Sequence, residues 1–187
     1  MGYRISWLAA KGLSSNALLD HFDFRSTDER DEANEVPFST AELPTGWTIL
    51  WSNDPTFANV ERCQRLSEKA PIVSCWVNET VMLSSANYFE GGNYLWFVGH
   101  NAQEGQYDLQ SDGSLPPQFD AIKERLTHQQ DQEGGDKADV DFIFDIPLEL
   151  AHSICGFKHD MWKFEWGEPE FFIAEQRIGW FRKLFKK

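Results

Sequence analysis

A glycine pair set between two apolar runs constrains this chain more than any other stretch. In residues 71–101, Val73, Cys75, Val77, Val81 and Leu83 alternate with Ser74, Trp76, Asn78, Thr80 and Ser84. A period of two puts one set of side chains on a buried face. Glu90-Gly91-Gly92-Asn93 supplies the positive backbone angles of a tight reversal, and Tyr94 to Val98 is aromatic and β-branched, as suits a packed pleated surface. The stretch predicts a β-hairpin at the centre of a sheet.

Flanking segments supply further elements. Tyr3 to Ala10 reads as a first strand, and Ser14 or Ser15 can cap a helix carrying Leu18 and Phe22. Trp47 to Trp51 is a short strand whose tryptophans read as core. Asp54-Pro55 is a helix start, with Phe57, Val60 and Cys63 at helical spacing. Pro116-Pro117 leads into a helix with Phe119, Ile122 and Leu126 on one stripe. Val140 to Ile146 alternates again and reads as a strand, and Pro147 opens a helix over 148–157. The expected fold is a single α+β domain over residues 1–176. Its antiparallel or mixed central sheet is flanked by helices near 14–23, 55–68, 117–128 and 147–156.

The chain has 187 residues, enough to bury roughly 70% of the surface its unfolded form exposes. A hydrophobic content of 41%, with 15 Phe and 8 Trp, supports a packed core with rings to spare for a surface patch. The three cysteines, Cys63, Cys75 and Cys155, are an odd number without close spacing and read as reduced thiols of a cytoplasmic protein. No secretory signal or membrane-length apolar run is visible. Met1-Gly2 with Ser6 fits the loose myristoylation pattern but reads better as the start of a strand.

Charge is unevenly spread. The net −13 divides into +4 over residues 173–187 and therefore −17 over residues 1–172. So acidic a body repels phosphate backbones, which argues against nucleic-acid binding, and steers a basic partner. Asp28, Glu29, Asp31 and Glu32 form one acidic patch, expected on an exposed, mobile loop; Asp131, Glu133, Asp136 and Asp139 form another in a polar connection. Residues 177–187 read as a basic amphipathic helix, with Ile178, Trp180, Phe181, Leu184 and Phe185 apolar among Arg177, Arg182, Lys183, Lys186 and Lys187. Such a tail can dock on its own body, on a second copy as a homodimer, or on an anionic membrane surface.

Catalytic signals are sparse. No nucleophile elbow, phosphate-binding loop, zinc-helix motif or dinucleotide fingerprint is present. Glu79 falls on the apolar side of its strand by strict alternation, so it needs donors, a cation, a raised pKa, or a bulge that turns it to solvent. A bulge or structural ion pair is the preferred reading, a general acid or base the alternative. His152, Cys155, His159 and Asp160 are metal-ligand types within nine positions, but their spacing matches no zinc pattern, so neither metal nor cofactor is expected. Asp141 and Asp145, placed on one strand, would stand about 13 Å apart, too far for a carboxylate dyad. His100 can pair with any of these groups.

The leading expectation is a non-enzymatic cytoplasmic binding protein whose acidic, aromatic surface captures a basic protein partner, as a toxin-neutralising immunity protein does. The alternatives are an enzyme with an acid/base or metal-assisted hydrolytic site around Glu79, His100, Asp141, His152 and His159, and a membrane or assembly adaptor acting through the C-terminal helix.

Overall fold

The strand that opens the sequence lies in the middle of the sheet. In the computed structural model, which describes residues 2–177, β1 (Arg4–Lys11) is flanked by β4 (Trp47–Ser52) and β5 (Ile72–Asn78), antiparallel to both. Its residues Ile5 to Ala10 are all buried, because helices cover both faces of the sheet here, and this is why the run is apolar at every position except Ser6. The remaining strands, in chain order, are β2 (Phe24–Arg30), β3 (Phe38–Glu42), β6 (Leu83–Glu90), β7 (Asn93–Asn101), β8 (Leu109–Gly113) and β9 (Phe172–Gln176). Among the described residues they form one antiparallel sheet in the order β2-β9-β3-β4-β1-β5-β6-β7-β8.

The helices are α1 (Ser15–His21), α2 (Val60–Leu66), α3 (Gln118–Gln132) and α4 (Asp145–Cys155). Alternation along the central strands splits the core in two. Ile5, Trp7, Ile49, Trp51, Val73, Cys75, Ala86 and Val98 face α3 and α4, while Leu8, Leu50, Ile72 and Phe89 face α1 and α2. The α+β expectation holds, with an antiparallel sheet and helices on both sides. Trp47 and Trp51 are buried, so they serve the core.

Several local expectations are corrected. The first arm of the hairpin is two strands, since Asn78 pairs with Leu83 and the chain reverses through Glu79–Met82; Met82 takes a φ of 48°. With no Gly or Pro in that loop the reversal carries no turn signature. The Gly91-Gly92 turn is where it was expected, between β6 and β7. Helix α2 starts five residues after Pro55, at Val60. Asp54 spends its carboxylate on the N–H and hydroxyl of Thr56, and Asn59 is the cap, its Oδ1 accepting from Arg62 N–H at 3.0 Å.

Val140–Phe144 is not a strand. Asp141 Oδ1 accepts the Phe144 N–H at 3.0 Å, and α4 begins at Asp145, placing Pro147 in its first turn, where a missing N–H costs nothing. The acidic stretch expected as a mobile loop instead contains the edge strand β2, paired with β9. Asp31, just beyond it, is buried and accepts the Glu35 N–H. The polar 101–115 segment likewise holds an edge strand, β8. Of the basic C-terminal helix, Ile178, Trp180, Phe181, Leu184 and Phe185 lie outside the described residues.

No helix among the described residues is long and apolar enough to cross a membrane.

Candidate functional site

The five titratable candidates resolve into two pairs and a single. Glu79 sits in the β5–β6 turn, half-exposed, where its Oε2 accepts the Tyr3 N–H at 2.8 Å and its Oε1 lies 3.2 Å from His159 Nε2. The His159 side chain is 1% exposed. Burial pushes its pKa below the ordinary histidine value, opposed by Asp160 and Glu79. The ring is therefore neutral near pH 7. With Nε2–H donating to Glu79, Nδ1 keeps its lone pair, and that atom is buried without a hydrogen-bond partner. A carboxylate that fixes the tautomer of an imidazole with one free nitrogen is the arrangement of an oriented base.

The second pair ties β7 to the segment before α4. The His100 side chain is fully buried, with Nε2 2.9 Å from Asp141 Oδ2 and Nδ1 2.6 Å from the Asp108 carbonyl oxygen. Both nitrogens are committed to acceptors, so this histidine positions backbone. His152 is separate: on α4, its ring lies against Phe164, and burial lowers its pKa. Asp145 pairs with Lys158 at 2.8 Å. Burial pushes Asp145 up against the pull of that lysine; Lys158, which burial alone would lower, is held above its ordinary value by Asp145 and Asp160.

His159 borders a cleft of about 260 Å³ lined also by Tyr3, Glu32, Asn34, Asp160, Trp162, Glu168 and Phe171. Next to it, along the β2 edge of the sheet, runs a wider groove of about 640 Å³ whose walls include Ser15, Asp28, Glu42, Trp166, Glu168, Glu170 and Phe172. Glu168 lines both, so the two are neighbours. Together they present Asp28, Glu32, Glu42, Asp160, Glu168 and Glu170, and neither is lined by a Lys or Arg. Arg30 reaches Glu170 from outside at 2.5 Å, and Glu42 accepts the Ser15 N–H at 2.6 Å. Trp162 on the rim is 77% exposed.

Of the first acidic patch, Asp28 and Glu32 line this belt, Glu29 is exposed on β2, and Asp31 is buried. The sequence singles out Asp160 only as a metal-ligand type and Glu42, Glu168 and Glu170 not at all, because they are scattered among turns and strand ends and β9 pairing between β2 and β3 gathers them. The second patch belongs elsewhere. Asp131, Glu133, Asp136 and Asp139 surround the end of α3, where Asp131 accepts from the Tyr107 hydroxyl beside β8. With strands about 4.8 Å apart, the β2 and β8 edges are roughly 38 Å from one another across the sheet. The two patches do not share a surface.

No family model, curated protein or solved structure matches the chain. Among the described residues no group of His, Cys, Asp and Glu has the arrangement of a metal site.

Proposed function

We propose that the protein is a binding module whose acidic belt at the β2 edge captures a basic protein partner, in the manner of a toxin-neutralising immunity protein. The observation that carries this reading is six carboxylates lining two neighbouring grooves that share Glu168, of which only Asp160 (with Lys158) and Glu170 (with Arg30) are in ion pairs, beside the exposed ring of Trp162. Carboxylates concentrated in a concave surface focus the field and speed encounter with a cationic partner. A large exposed ring at the rim supplies the desolvated anchor that electrostatics alone does not. Three buried, unbridged thiols fit a reducing compartment such as the cytoplasm.

The test is retention of partners from host lysate at low and moderate salt by the wild-type chain and by an E32K/E168K variant. One stoichiometric basic protein, held by the wild type, released by salt and absent with the variant, is the expected result. Equal retention by both chains, or none by either, rejects the belt as the capture surface.

One observation favours a second reading. The imidazole of His159, oriented through Glu79, lines the same cleft with its unpartnered Nδ1 just below the surface; a small movement that opens Nδ1 to the cleft would give the placement of a general base in a hydrolytic enzyme. Turnover of an ester or phosphoester panel that disappears with His159→Gln would support it; a flat response across the panel would leave His159 a structural residue.

A further inference from the structure

The described residues end beside the acidic belt. After β9, Arg177 is fixed next to the start of β2: its N–H donates to the Asp23 carbonyl oxygen at 2.7 Å, and its guanidinium pairs with Asp20. Ser26 stands opposite Ala174 and Arg30 opposite Phe172. Ser26 and Phe172 both line the wider groove, so at strand rise that groove begins roughly 10 Å from Arg177 and extends to roughly 17 Å from it. Ten residues follow Arg177. Fully extended they span about 33 Å, enough to turn back and lie along the groove.

The groove and this segment are complementary in two independent respects. Asp28, Glu42, Glu168 and Glu170 line the groove without a Lys or Arg, and of the four only Glu170 is in an ion pair among the described residues. Residues 178–187 hold Arg182, Lys183, Lys186 and Lys187 and no acidic side chain. The groove also has an apolar part, made by Pro44 and the half-buried rings of Phe172 and Trp166, the latter stacked on Phe164 with centroids 4.8 Å apart. The segment brings Ile178, Trp180, Phe181, Leu184 and Phe185, and aromatic rings of this kind pack on one another as well as on aliphatic chains. An acidic groove without rings would accept any cation; this one suits a segment that is basic and aromatic together.

We infer that residues 178–187 of the same chain occupy the wider groove when no partner is bound, so that the capture surface carries its own displaceable competitor. The inference rests on the proposed function for the belt and adds its regulation. Tethering favours the chain's own segment, because a short linker holds it at an effective concentration of about millimolar. The same segment from a second copy has no such advantage, and it brings with it a body of net charge −17 over residues 1–172, which repels the belt. A basic partner must then displace the segment, which sets a threshold that weakly basic proteins do not pass.

The test places a nitroxide on Lys187→Cys in the isotope-labelled full chain. The three native thiols are buried and take no label, which the identically treated wild type checks. The amides of Ser26, Asp28, Glu168 and Phe172 are expected to broaden, and to recover in a D28K/E168K background whose remaining spectrum serves as the fold control. Octalysine is the external probe: R182Q/K183Q/K186Q/K187Q is expected to bind it about tenfold more tightly than the wild type, through loss of the competitor. Broadening outside the groove or nowhere, broadening only when the nitroxide sits on a separate chain, or octalysine affinity unchanged by the glutamine variant would each overturn the inference. The second of these outcomes makes a second copy the occupant. Lysate capture fails or succeeds separately: a retained partner without broadening leaves the belt an open capture surface, and broadening without a retained partner keeps the segment in the groove and removes the capture reading.

Discussion

Glu79 and His159 meet across 80 residues of chain, carboxylate to imidazole at 3.2 Å, and the same carboxylate ties down the N–H of Tyr3. One acidic side chain in a turn thereby joins the start of β1 to the loop after α4. The Tyr3 ring completes the contact by meeting the His159 ring edge-on, with centroids 5.2 Å apart.

This contact has a pH signature. Burial holds His159 below its ordinary value, and His152 and His21 shift the same way, each chiefly through burial. As pH falls below about 6.5 the unfolded chain takes up protons that the folded chain refuses, so stability present at neutral pH is lost down through the folded pKa values. The urea midpoint is expected to drop between pH 7.5 and 5.5, and His159→Gln to flatten that slope. A slope unchanged in the variant would remove His159 as a cause.

Leu8 on the central strand is fully buried among Leu18, Leu50 and Ile72. Leu8→Ala is expected to cost about 2–5 kcal/mol, because helices on both sides prevent the cavity from collapsing. Chemical denaturation checks this; a loss below 1 kcal/mol, far under the range for such deletions, contradicts the rigid packing.

Gly113 closes β8 with a φ of 85°, and a Cβ there would stand 2.1 Å from the Leu95 carbonyl oxygen. That oxygen accepts the Ser114 N–H, so moving it breaks an edge contact. Gly113→Ala is expected to destabilise by about 1–3 kcal/mol. Thermal melting of the variant at the wild-type midpoint would show that the turn adapts.

The thiols provide a probe of global opening. Burial pushes Cys63 and Cys155 up to about 12 and Cys75 well above its ordinary value. All three are expected to resist an aromatic disulfide reagent in the native state and to react together on unfolding. Rapid labelling of one thiol in native buffer would reveal a local opening around it.

Elements whose signal is local were legible. The β1 run, the Gly91-Gly92 turn, the Ser14 cap and the α3 stripe follow from alternation, glycine conformation and helical spacing. Elements stabilised from a distance were not. Phe24–Arg30 is a polar segment that becomes a strand only because β9 arrives from the far end of the chain to pair with it. Val140–Phe144 alternates like a strand, yet Asp141 turns it into a helix start.

Composition and periodicity by themselves determined an acidic α+β domain with a buried aromatic core and reduced thiols, since charge, apolar spacing and turn chemistry act over a few residues. Tertiary pairing alone decided which carboxylates share a groove, and that Glu79 meets His159 and His100 meets Asp141. Each of those contacts joins segments brought together by strand order, and strand order is set by which buried faces pack best across the whole sheet.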